Sequence, residues 1–178
     1  PDGPERRAVR DALSAVLGRR LSELLPRHTN SSYDFIIKRA RSTRVISLHQ
    51  DWSFIDPDVG VGVNMWCALQ DTTPANGCLK VVPGSHAAFN HISAVNGPNP
   101  SPWDSVREIL DKRCSRSVPM KAGEAFFWDQ RTLHASGENA SDADRLVASA
   151  SFIPTGTKLR FHEWKAERPG YLDVYELE

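Results

Sequence analysis

The feature that most restricts the fold is a succession of short apolar runs, each closed by turn residues, from Tyr33 to Ile153. The runs are Tyr33–Lys38, Val45–Trp52, Val59–Asp71, Cys78–Val82, Ser117–Met120, Ala125–Trp128, Leu133–Ser136 and Arg145–Ile153. Between them lie Thr72–Gly77, Pro83-Gly84, Lys121–Glu124 and Glu138–Asp144, rich in residues that favour turns. Runs of this length between such turns read as strands, and this many of them predict a β-sandwich or jelly roll. Val59–Asp71 and Cys78–Val82, joined by Thr72–Gly77, are expected to form a hairpin. Ahead of the strands, Pro4 opens a helix and Pro26 stops it. Val9, Leu13, Val16, Leu17, Leu21, Leu24 and Leu25 recur in it at helical spacing, so it should pack against the outside of the sheets. Asp104–Lys112 predicts a short helix and Asn96–Pro102 a loop, while Phe161–Glu178 is polar and aromatic without a distinct period.

A chain of 178 residues with 40% hydrophobic and 25% charged residues can bury one core, and residues 1–178 are expected to form one domain. The formal net charge is zero, which gives no sign of nucleic acid or membrane as a partner. Arg39, Arg41 and Arg44 are locally dense and read as a solvated loop. No apolar run is long enough to span a bilayer. Cys67, Cys78 and Cys114 are odd in number and lack CxxC spacing, so reduced thiols in a cytoplasmic protein are expected. The chain starts at Pro1 without Met, and an N-terminal piece and mobile loops are expected to be absent.

The chemistry concentrates in Leu48-His49-Gln50-Asp51-Trp52. On a strand, residues two apart share a face, so His49 and Asp51 would stand side by side. An imidazole and a carboxylate on one face supply two ligands of the 2-His-1-carboxylate triad that leaves open positions on non-heme Fe(II). His134, far along the chain in a short strand, is the candidate third ligand. His28, His86, His91 and His162 read as structural or exposed. Arg145 opens an apolar strand, where a cation is costly unless it meets an anion. A planar guanidinium suits a carboxylate.

The order His49-x-Asp51, then Asn76-Gly77-Cys78-Leu79-Lys80-Val81-Val82-Pro83-Gly84-Ser85-His86, then His134-Ala135-Ser136 and Arg145 resembles the phytanoyl-CoA dioxygenase family. The resemblance runs from about Tyr33 to Pro154. It implies a mainly β double-stranded β-helix (jelly roll, cupin-like) with flanking helices, and an oxygenase using Fe(II), 2-oxoglutarate and O2. It implies that His49, Asp51 and His134 bind iron and that Arg145, helped by the Ser136 hydroxyl, holds the C5 carboxylate of 2-oxoglutarate. Trp66 matches a position that lines the co-substrate pocket, and Lys38 one near the co-substrate or substrate. Pro83-Gly84-Ser85-His86 reads as a structural corner. The segment before His49, Ala40-Arg41-Ser42-Thr43-Arg44, departs from the family's Pro/Gly-rich approach.

The expected reaction is hydroxylation or another oxidation of an unactivated C–H bond in a small organic substrate, releasing succinate and CO2. Halogenation is not expected, because related halogenases carry a small residue where Asp51 stands. An apolar lining from Trp66, Phe127 and Trp128 would limit stray oxidation. No basic patch for CoA is evident, which favours a small secondary metabolite or an amino-acid-derived molecule. Two other readings stay open: a non-catalytic jelly-roll binding module, and a cupin-like metalloenzyme that does not use 2-oxoglutarate.

Overall fold

The computed structural model describes residues 3–56, 58–89, 91–95, 101–168 and 170–177. Most of the expected Asn96–Pro102 loop lies outside them. Helix α1 (Pro4–Leu24) is followed by β1 (His28–Lys38), β2 (Ile46–His49), β3 (Val63–Ala68), β4 (Leu79–Val81), β5 (Arg116–Val118), β6 (Ala125–Asp129), β7 (His134–Ser136), β8 (Arg145–Pro154), β9 (Arg160–Trp164) and β10 (Leu172–Glu176). One sheet has the order β1-β8-β3-β6 and the other β2-β7-β4-β5, all antiparallel. Antiparallel sheets in this order make the jelly roll. Among the described residues no helix is long and apolar enough to cross a membrane.

The predicted hairpin between Val59–Asp71 and Cys78–Val82 does not form, because β3 and β4 belong to different sheets. The Thr72–Gly77 turn carries the chain across the sandwich instead of back along it. Thr73 and Asn76 close that turn with a capping box, and Gly77 ends it at φ +73°. A Cβ on Gly77 would lie 2.7 Å from the Gly137 carbonyl oxygen and 2.8 Å from that of Glu138. Local patterning predicts a turn equally well for either route, so the missed choice is one of tertiary partner.

Helix α1 lies over β1, with Leu13 and Leu21 buried and Val9, Leu17 and Leu25 packed beside them. These five recur every fourth residue and form one stripe. Burying a leucine contributes about 1.5–3 kcal/mol. Val16 and Leu24, expected on the same face, are exposed because they fall off this stripe. Between the two sheets Trp66, Ala68, Leu79, Val81, Met120 and Val147 form a second cluster, which floors the functional cavity.

Two differences bear on function. Strand β2 ends at His49, so Asp51 lies beyond it in irregular backbone. The Phe161–Glu178 segment holds β9 and β10, which pair as a small separate sheet. Asp104–Lys112 is a series of short helical turns over 104–114.

Candidate active site

Strands β2 and β7 pair so that His49 stands directly opposite His134. Their ring centroids are 4.2 Å apart. His49 Nδ1 lies 2.8 Å from the Ser47 carbonyl and His134 Nδ1 lies 3.0 Å from the Thr132 carbonyl. A carbonyl only accepts, so each Nδ1 carries a proton and metal binding falls to each Nε2. Those Nε2 atoms meet Asp51: His49 Nε2 is 3.7 Å from Oδ1 and His134 Nε2 is 3.6 Å from Oδ2. The three candidate ligand atoms lie within 4.8 Å of one another. Burial pushes the Asp51 carboxyl upward, but His134, His49 and Asn64 outweigh it and hold it below its ordinary range. Burial lowers the His134 pKa, against the opposing pull of Asp51. At His49 burial is outweighed by Asp51, and its pKa rises.

Asp51 is oriented from β3. Asn64 Nδ2 donates to Asp51 Oδ2, while Asn64 Oδ1 accepts from Ser151 Oγ at 2.9 Å and Gln130 Nε2 at 3.3 Å. Sequence reading passed over Asn64; its signal was a lone amide two residues before Trp66, on the same strand face and inside an apolar run.

The imidazoles and Asp51 face a cavity of about 460 Å³, a size suited to a small organic ligand. Its wall also includes Ile36, Trp66, Trp128, Ser136 and Arg145. Arg145 is 1% exposed, and its Nε and Nη2 have no hydrogen-bond partner among the described residues. Its guanidinium carbon lies 4.9 Å from the centre of the Trp66 ring. Burial pushes the Arg145 pKa down. On the register of β1 and β8, Lys38 stands directly opposite Arg145. Two buried cations side by side are unfavourable without an anion. Trp128, whose ring lies 5.3 Å from His134, has a buried indole N–H that is also unpaired among these residues.

Ser136 lines the cavity, but its hydroxyl donates to the Gly77 carbonyl at 2.8 Å and accepts from Lys38 Nζ at 2.8 Å. Lys38 sits behind it, bonded also to the carbonyls of Ser136 and Gly137. Phe127, expected in the cavity, packs on the opposite face of its strand toward α1. Alternation along β6 gives the inward side to Phe126 and Trp128. The Pro83–His86 corner is structural: buried Ser85 Oγ donates to Val82 O and accepts from the Leu133 amide.

Residues 4–147 match the sequence model of the family described as phytanoyl-CoA dioxygenase (PhyH). The chain belongs to the phytanoyl-CoA dioxygenase family. A phytanoyl-CoA dioxygenase of Arabidopsis thaliana is 32% identical over 129 residues, covering 71% of this chain and 46% of that protein. The phytanoyl-CoA dioxygenase domain-containing protein 1 of Bos taurus is 31% identical over 135 residues, covering 73% and 46%. The chain thus spans about half the length of these relatives. Among solved structures, the epimerase SnoN, in complex with Fe3+, alpha-ketoglutarate and nogalamycin RO, superposes with TM-score 0.67 at 23% identity. The overlap covers 83% of this chain and 60% of that one, and at this identity it speaks for the fold.

The phytanoyl-CoA dioxygenase family depends on Fe(II) and 2-oxoglutarate. The residues present here fit both. Two imidazole nitrogens and one carboxylate are the donor set of an open non-heme iron site. A buried guanidinium whose Nε and Nη2 have no partner among the described residues suits a dicarboxylate co-substrate.

Proposed function

We propose that this chain is an Fe(II)- and 2-oxoglutarate-dependent oxygenase domain that hydroxylates, or otherwise oxidises, an unactivated C–H bond of a small organic substrate. The observation that carries it is one cavity lined both by three metal-competent donors within 4.8 Å and by a buried guanidinium with unpaired nitrogens. His49, Asp51 and His134 would hold the iron. Arg145 would hold the far carboxylate of 2-oxoglutarate, with Trp66 beneath the guanidinium and Ser136 in the adjoining wall. Lys38 would act from behind that wall by fixing Ser136 and Gly137.

When bound together, iron, 2-oxoglutarate and O2 supply oxidative decarboxylation to succinate and CO2, coupled to oxidation of a C–H bond. The chain's own residues bind, orient and exclude water. The carbonyls of Ser47 and Thr132 fix both imidazole tautomers. Asn64 fixes the carboxylate. Trp66, Trp128, Leu79 and Ile36 keep the space apolar. With Asp51 in the ligand set, no position is left for halide in its place, so hydroxylation, desaturation or ring formation is expected over halogenation. The fold also serves an epimerase, SnoN, so product analysis identifies the reaction. Cytoplasmic residence is proposed from the cysteine usage.

The test is succinate formation from 2-oxoglutarate with Fe(II) and O2. Wild-type protein should form succinate and Asp51→Ala should not. Activity surviving Asp51→Ala without an added carboxylate would overturn the ligand assignment. Metal-dependent activity unchanged in Arg145→Ala would instead point to a metalloenzyme that does not use 2-oxoglutarate.

A further inference from the structure

The segment that follows Asp51 builds a second surface on the cavity. Trp52 and Phe54 both line it. Trp52 is 53% exposed although it directly follows a candidate metal ligand. Its ring meets Phe54 edge-on, with centroids 6.2 Å apart at 84°, and Phe54 meets Phe161 of β9 at 5.6 Å and 69°. Edge-to-face contacts of this kind are a preferred arrangement of aromatic rings.

The backbone under these rings is tied down on both sides. The Ser53 amide donates to Ser93 O at 2.8 Å, and the Ser93 amide donates back to Ser53 Oγ at 3.0 Å. From β9, the Arg160 amide donates to Phe54 O at 2.8 Å and His162 Nδ1 lies 2.7 Å from Ser53 O. Arg160 also pairs with Asp56 at 2.5 Å. The backbone beside Trp52 is thus held from two sides, and the half-exposed indole it carries is an apolar face whose covering from water is favourable.

Charge narrows what can cover it. Among the described residues of the cavity wall, Asp51 and Arg145 are the charged side chains apart from the histidines. Both are committed, the first to the metal and the second to the co-substrate. Among these described residues no further cation remains for a phosphate or carboxylate on the substrate.

We propose that Trp52 and Phe54 form the substrate subsite, and that the substrate is an uncharged molecule whose flat ring system stacks on Trp52, not an acyl-CoA. This rests on the oxygenase reading for the roles of Asp51 and Arg145. The C-terminal β9–β10 sheet is then the support that sets the shelf against the metal.

The test is calorimetric titration of the protein loaded with Ni(II), which keeps the site filled without turnover. 2-Oxoglutarate is added first, and its binding heat reports on the oxygenase reading by itself. 2-Naphthol, decan-1-ol and hexadecanoyl-CoA are then titrated separately. 2-Naphthol should bind more tightly than either of the others. Trp52→Ala should weaken it by about three- to tenfold, the range an aromatic contact accounts for, and Trp52→Phe should restore most of the loss. Trp52 is half-exposed, so neither variant opens the core. Equal 2-naphthol affinity in Trp52→Ala, or tighter binding of decan-1-ol or hexadecanoyl-CoA in the wild type, would overturn the subsite. Absent 2-oxoglutarate heat with 2-naphthol still binding through Trp52 would overturn the oxygenase reading and leave the ring-binding shelf standing.

Discussion

Asn64 donates its amide to Asp51 from the opposite sheet, and that bond selects the direction in which the carboxylate faces the two imidazoles. The amide is itself fixed, since its oxygen accepts from Ser151 and Gln130. Asn64→Leu keeps the size and removes the donor. It should lower Co(II) affinity by about 10–100-fold, the usual cost of losing a partner behind a metal ligand. Titration of the Co(II) absorption band checks this. Unchanged affinity would mean that the carboxylate is positioned without Asn64.

Arg145 carries opposite consequences with and without co-substrate. Arg145→Met should raise the KM for 2-oxoglutarate by about 10–100-fold, corresponding to a charge-assisted bond of about 1.5–3 kcal/mol. The ligand-free variant should melt no lower than the wild type, because a buried unpaired cation facing Lys38 is removed. 2-Oxoglutarate should raise the melting temperature of the wild type and, at the same concentration, raise that of the variant much less. Thermal scans with and without 2-oxoglutarate test both halves.

Lys38 gives a pH signature. Burial, then Arg145 and Arg44, lower its pKa from 10.5 to about 8, with Glu138 opposing. Between these values the unfolded chain binds more protons than the folded one, so stability rises with pH from about 8 to about 10.5. Below about 8 both states hold the proton, and the cost of the buried charge is present in full. Lys38→Met should remove this rise. The difference between wild-type and variant melting curves across pH 8 to 10.5 isolates it from other groups that titrate there.

Gly77→Ala should destabilise the fold by about 1–3 kcal/mol, since the position sits at φ +73° and its Cβ would press on two carbonyl oxygens. Urea unfolding measures it. The Gly77 carbonyl also receives the Ser136 hydroxyl, so this turn and the cavity wall should loosen together.

The strand and turn rhythm, the outer helix and the types of residue that meet in the cavity are legible in the chain alone, because period, turn chemistry and an Arg that opens an apolar run are local features. Tertiary structure decided everything that depends on which strand lies beside which. It placed β3 and β4 in different sheets, where a local reading of Thr72–Gly77 saw a hairpin. It set His49 opposite His134 across the β2–β7 pair, although β2 stops before Asp51 and strand alternation cannot account for that carboxylate's direction. Asn64 supplies the direction instead, from a strand that no sequence spacing links to Asp51. In the same way β9, whose sequence has no distinct period, holds the Trp52 segment in place only through contacts between residues far apart in the chain.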